Sequence, residues 1–167
     1  QLEPGLVARR IARVPLRFCA SPDYLARYDT PETPEDLLAH QCLLFRSPVD
    51  GRLLGWGFVR EGVRFEPRLN PTMICNDIDS LARFALDGAG IARIGAFIAD
   101  PLIESGSLVA LFEDNSHAAK KTGKGKMQAA IEPLDFYACY QDRRAVGGKL
   151  RVFLDYLDSH LPVHWRS

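Results

Sequence analysis

Between Val14 and Leu44 the chain reads VPLRFCASPDYLARYDTPETPEDLLAHQCLL, two apolar strands held apart by two sharply signalled helix starts. Pro15–Ala20 is apolar enough for an interior strand, and Ser21-Pro22 ends it. Serine suits a helix N-cap and proline the first helical position, so a short helix is expected through Tyr24-Leu25-Ala26-Arg27-Tyr28. Thr33-Pro34-Glu35-Asp36 repeats the device: Thr33 stands as N-cap, and Asp36 can answer the Thr33 amide and the positive helix end. Leu37 and Leu38 then face inward, and Cys42–Phe45 returns as a strand.

Further along, Leu6–Arg13 alternates apolar and basic residues and reads as an edge strand or a connector. Trp56–Val59 and Val63–Phe65 flank Glu61-Gly62 as a hairpin, with Trp56 and Phe58 in its core. Met73-Ile74-Cys75 is a short strand. Asn76 or Asp77 caps a helix whose Ile78, Leu81, Ala82, Ala85 and Leu86 recur at three- and four-residue intervals. Gly88 and Gly90 end it. Then come the strand Ile91–Ile94, a helix from Ala96 to Ser105, and strands at Leu108–Phe112 and Phe136–Tyr140. A last helix places Leu150, Phe153, Leu154 and Leu157 on one face. Asn115–Gln128, with its Lys120–Lys126 run, reads as a solvated loop. Strands alternating with helices imply an α/β fold with a parallel or mixed sheet.

Composition narrows the function. The 167 residues fit one ordinary domain or two small lobes. No apolar run approaches the length of about eighteen residues that spans a bilayer. The 21 basic and 21 acidic residues cancel, so the chain by itself lacks the basic surplus of a nucleic-acid module. Cys19, Cys42, Cys75 and Cys139 are far apart in or beside apolar runs, as free thiols of a cytoplasmic protein would be. No cofactor fingerprint is present: Gly88-Ala89-Gly90 ends a helix where a dinucleotide motif would start one. Asp77 and Asp79 read as helix-start surface acids, and His40-Gln41-Cys42 lacks the second pair that a metal site needs. No catalytic set and no metal site is expected, and therefore no enzyme.

Several segments together resemble the effector-binding domain of LysR-type transcriptional regulators. They are Ala20-Ser21-Pro22-x-Tyr24-Leu25, Thr33–Leu37, His40 with Cys42-Leu43, Trp56-Gly57-Phe58, Asn76-Asp77, Asp87–Ala92, Ser105–Val109 and Arg151–Leu157. They occur in the family's order and spacing over nearly the whole chain. The resemblance implies the two-lobed, periplasmic-binding-protein-like (type 2) fold. Residues 20–132 would form lobe II, with 1–19 and 133–167 supplying crossover strands and the last helix of lobe I. It further implies a small-molecule effector between the lobes, a homo-oligomer (dimer or tetramer), and DNA contact only through a helix-turn-helix that this chain lacks. Gln1, where an initiating Met would stand, is expected of a segment from a longer protein.

In such sheets ligands sit at the carboxyl ends of strands, near unpaired amides of helix N-termini. Three corners are candidates: Cys19 with Ser21, then Ile74-Cys75-Asn76, then Ile94-Gly95 with Phe97. Ser21 and Asn76 have plain capping as the competing role. Gly95 stands where the family commonly has proline, and is expected to widen the pocket or lend it an amide donor. Two other functions compete with regulation. A stand-alone solute-binding protein of the same fold would need a secretion signal, and an enzyme would need a convergent acid, base or nucleophile set.

Overall fold

The computed structural model describes residues 6–112, 127–129, 133–141 and 147–166. Elements follow in the order β1 (Leu6–Val14), β2 (Leu16–Ala20), α1 (Pro22–Tyr28), a 3-10 helix (Pro34–Ala39) and β3 (Cys42–Phe45). Next come β4 (Phe58–Arg60), β5 (Val63–Phe65), β6 (Pro71–Cys75), α2 (Ile78–Leu86), β7 (Ile91–Gly95) and α3 (Ala96–Glu104). The chain continues with β8 (Val109–Leu111), β9 (Met127–Ala129), β10 (Leu134–Gln141), α4 (Gly148–His160) and a second 3-10 helix (Val163–Trp165).

Two compact units emerge, residues 16–132 and, separately, 1–15 with 133–167. The boundary falls at Pro15, earlier than the expected end of the crossover at residue 19. Proline has no amide to give a ladder, so it separates β1 from β2, and all of β2 pairs inside the larger unit.

In the smaller unit β1 pairs antiparallel with β10, with an irregularity between Arg10 and Ala12. The Leu6–Arg13 segment is therefore a strand. Asp135 accepts from Arg13 Nε at 3.0 Å, and that guanidinium holds the Asp135 carboxyl below its usual range. On α4, whose Leu150, Phe153, Leu154 and Leu157 share one face, only Leu154 is buried; Leu150 and Leu157 are half-buried, and Phe153 is exposed.

The larger unit is built on a five-stranded sheet in the order β6-β3-β7-β2-β8. β3 runs parallel to β6 and β7, while β2 runs antiparallel to β7 and β8. Successive strand side chains point to opposite faces, so the sheet carries two cores. Phe18, Cys42, Leu44 and Ile91 meet Tyr24, Leu37, Trp56 and Phe58 on one face. Cys19, Leu43, Ala92 and Ile94 meet Leu81, Ala85 and Ala99 of α2 and α3 on the other. The first core is largely aromatic: Phe18 stacks on Phe58 at 5.0 Å and meets Trp56 edge-on at 5.3 Å. Arg93, buried on that face, donates to the Gly55 carbonyl and lies over the Phe18 ring.

A separate three-stranded sheet has the order β5-β4-β9. Its hairpin turns through Glu61 (φ 53°) and Gly62 (φ 79°), the double left-handed geometry of a type I′ turn. Met127 and Gln128, read from sequence as the end of a loop, instead pair with β4 together with Ala129. Three residues carry too little pattern to announce a strand, and the pairing is decided by the tertiary partner. The Lys120–Lys126 run lies outside the described residues.

The 3-10 helix ends in a buried histidine. Gln41 N donates to Tyr24 Oη at 2.9 Å, and Tyr24 Oη stands 3.1 Å from His40 Nδ1. The hydroxyl, having accepted from the amide, can donate to Nδ1 of a neutral ring protonated at Nε2, an arrangement that a charged ring would break. Burial lowers the His40 pKa, opposed by the Asp36 and Asp29 charges. The unfolded chain takes up this proton below about pH 6.5. The stabilisation is therefore complete above that pH and is lost as pH falls through the lower folded value. Thermal midpoints measured from pH 7.5 to 5 should fall, and His40→Gln should flatten that decline; an equally steep decline in His40→Gln assigns it to other groups.

Candidate functional site

The strand register brings several chain segments to one edge of the larger sheet. Phe45 lies opposite Cys75, and Leu43 opposite Ala92, so β3, β6 and β7 end together. Arg46 N donates to the Cys75 carbonyl at 2.7 Å just past the last ladder pair. β2 starts at this edge, with Leu16 opposite Gly95. The rim thus gathers Ile74, Cys75 and Asn76 on one side, and Gly95 and Phe97 on the other, with the tip of β3 between them.

The two helices that leave this rim differ at their amino ends. In α2 the N-cap is Asp77, not Asn76, and its Oδ2 accepts from Ser80 N at 2.8 Å. Hydrogen bonds from the Ser80 side chain and amide hold the Asp77 carboxyl below its ordinary range. A carboxylate of the chain itself already serves that helix end. In α3 the N-cap is Gly95, which has no side chain with which to accept from the first-turn amides. Arg17 Nε donates to Asp100 Oδ1 at 2.9 Å, tying the middle of α3 to the start of β2.

The rim departs from the sequence expectation at one corner. Cys19 and Ser21 belong to the opposite edge of the sheet, because β2 runs against β3, β6 and β7 and its carboxyl end points the other way. There the Ser21 hydroxyl accepts from Tyr24 N at 3.2 Å and caps α1. Cys19 is fully buried against α2 and α3, and burial pushes its thiol up to about 12. Ile94 reaches the rim through its backbone only, its side chain being part of the same core. Ile74, Asn76 and Phe97 are exposed, and Cys75 is half-buried with its thiol raised by burial and by Asp77.

The tip of β3 at Phe45-Arg46 was missed from sequence, although it occupies the middle of the rim. The strand itself was legible, and applying the strand-end rule to every parallel strand would have found it. Arg46 Nη1 donates to the Gly51 carbonyl at 3.1 Å, closing the turn that follows. Among the described residues no three of His, Cys, Asp and Glu gather as metal ligands would.

A family model described as the LysR substrate binding domain matches residues 1–162. The chain belongs to the LysR substrate-binding-domain family. This LysR domain is 33% identical over 159 residues to the HTH-type transcriptional regulator CrgA of Neisseria meningitidis serogroup C, covering 95% of this chain and 48% of CrgA. It is 32% identical over 145 residues to the HTH-type transcriptional regulator YcaN of Escherichia coli, covering 86% of this chain and 42% of that protein. The solved CrgA regulatory domain superposes with a TM-score of 0.74 at 31% identity, covering 97% of this chain and 72% of that one. Full-length AphB of Vibrio cholerae, at 24% identity and a TM-score of 0.71, shares the fold. The LysR domain therefore has the periplasmic-binding-protein-like type 2 fold, and it spans about half the length of the regulators it matches. Both relatives are HTH-type transcriptional regulators.

Proposed function

We propose that this LysR domain is the effector-sensing part of a cytoplasmic transcriptional regulator and that its ligand is a small organic acid held at the rim where β3, β6 and β7 end. One observation carries the choice of an acid. Of the two helices starting at this rim, α2 is closed by its own Asp77 carboxylate, whereas α3 begins at a glycine with no side-chain acceptor. The amino end of a helix, the positive end of its peptide dipoles, favours an anion. Asn76, exposed beside the α2 start, would add a neutral hydrogen bond.

In the whole regulator the ligand would change DNA binding only through a difference in affinity for two arrangements of the protein. Homo-oligomerisation and DNA contact through a separate helix-turn-helix belong to the same proposal. A thermal-shift screen of small organic acids against the purified chain tests it. A true ligand raises the midpoint progressively with concentration, as mass action requires, and changes operator affinity of the intact regulator. Asn76→Ala should weaken that ligand about tenfold, the loss of roughly 1.4 kcal/mol that one hydrogen bond can supply, without lowering the unliganded midpoint. A screen in which neutral metabolites stabilise the chain and acids do not would reject the choice of an acid.

A further inference from the structure

Tyr24 and His40 tie three segments of the larger unit together through one proton. Tyr24 comes from α1, His40 ends the first 3-10 helix, and Gln41 leads into β3. Both side chains are buried. Tyr24 Oη takes the Gln41 amide proton at 2.9 Å and stands 3.1 Å from His40 Nδ1, and among the described residues it has no other partner. A hydroxyl supplies one proton, so this run of bonds closes only on a ring nitrogen that carries none. A charged ring carries a proton on both nitrogens. The hydroxyl would then have to turn its own proton into an apolar core, where a donor without an acceptor is costly.

The ring is surrounded by groups of both tendencies. From α1 come Tyr24, its stacking neighbour Tyr28, and Asp29 at the helix end. The 3-10 helix supplies Asp36, four residues before His40, and β3 supplies the Cys42 thiol, which donates to the His40 carbonyl. Arg27, the cation on α1, is held by the Asp23 and Gly88 carbonyls. Burial keeps the His40 pKa below its ordinary value, against the pull of the Asp36 and Asp29 charges. Asp29 also has φ 61° and ψ 176°, a backbone that residues other than glycine adopt only under strain.

We infer that His40 is a proton-operated latch at the sheet edge opposite the rim. Neutral, the ring binds Tyr24 and fastens α1 and the 3-10 helix to the start of β3. Charged, having taken one proton from solvent at Nδ1, it leaves Tyr24 for the Asp29 and Asp36 carboxylates, and the Gln41 amide loses its acceptor. Loosening the end of α1 also relaxes the Asp29 backbone, so the open arrangement has a gain of its own. The latch is shut at neutral pH and opens as pH falls below about 6.5, the ordinary histidine value. The proton is thus an input to the domain separate from any ligand at the rim.

Hydrogen exchange of single amides in the purified chain, corrected for the intrinsic rate at each pH, reads the latch. Between pH 7.5 and pH 5 the Gln41 amide should lose about tenfold or more in protection, as a local opening does. The Ile91 amide, bonded to the Gln41 carbonyl, should keep its own. In His40→Gln the Gln41 protection should be the same at both pH values. Asp29→Asn removes a charge that favours the charged ring and should move the loss to lower pH. Equal Gln41 protection at the two pH values overturns the latch, and so does an equal loss at Ile91, which is opening of the whole sheet. A loss in His40→Gln as large as in the parent overturns the assignment to His40. An unmoved loss in Asp29→Asn overturns the exchange of partners.

Discussion

Trp56→Ala should destabilise the chain by about 3–5 kcal/mol, the usual cost of removing a large buried aromatic side chain. Trp56 is 2% exposed and sits among Phe18, Leu44 and Phe58 on the aromatic face of the five-stranded sheet. Its edge-on contact with Phe18 at 5.3 Å adds a directional gain to the loss of buried area. The contact is also long-range in sequence, joining the loop before β4 to the centre of β2. Domains of this size hold a net stability of only about 5–15 kcal/mol, and the loss is a large share of it. Urea titration should show a lower midpoint with an unchanged slope. Val49→Ala, at a residue 93% exposed, serves as the control and should stay within about 0.5 kcal/mol. A Trp56→Ala loss below about 1 kcal/mol would mean that the aromatic core is not closed as described.

Local signals carried far in this chain, and the direction of strands did not. Ser21-Pro22 reads as a helix start because capping depends on residues only three positions apart, and Ser21 caps Tyr24 as expected. Thr33 to Asp36 was legible for the same reason: Asp36 Oδ2 accepts from Thr33 N at 2.7 Å, although the turn is 3-10 and not α-helical. Apolar spacing located α2, and Glu61-Gly62 located the hairpin. The orientation of β2 is not written locally. A strand looks the same whichever way its neighbours run, so the strand-end rule placed Ser21 with Asn76 and Gly95 at one groove. The register of β2 against β7 puts Ser21 at the far edge. The rim could be reached from sequence through its parallel strands only.

Gly90→Ala should be among the most damaging substitutions in the chain, even though it adds one methyl group. An alanine Cβ there would collide with the Gln41 carbonyl oxygen and lie 3.0 Å from its carbon. Both atoms are backbone, so no rotamer change can make room. The same carbonyl accepts from Ile91 N at 2.9 Å, the bond that opens the pairing of β7 with β3. Relieving the clash means moving the start of β7 away from β3, in the middle of the sheet, where Ile91 and Cys42 are fully buried. Overpacking in a closed core typically costs about 1–3 kcal/mol and more where the backbone must yield, so about 3 kcal/mol is expected here. Gly88→Ala offers a contrast of cause. Its obstacle is the far end of the Arg27 side chain, which can swing away, but its φ of +75° charges an alanine about 1–2 kcal/mol in backbone strain. Urea titrations should therefore rank Gly90→Ala below Gly88→Ala in stability. Shortening Gln41 will not rescue Gly90→Ala, because the obstructing atoms belong to its peptide group. Wild-type stability in Gly90→Ala would mean that β7 does not enter the sheet against Gln41.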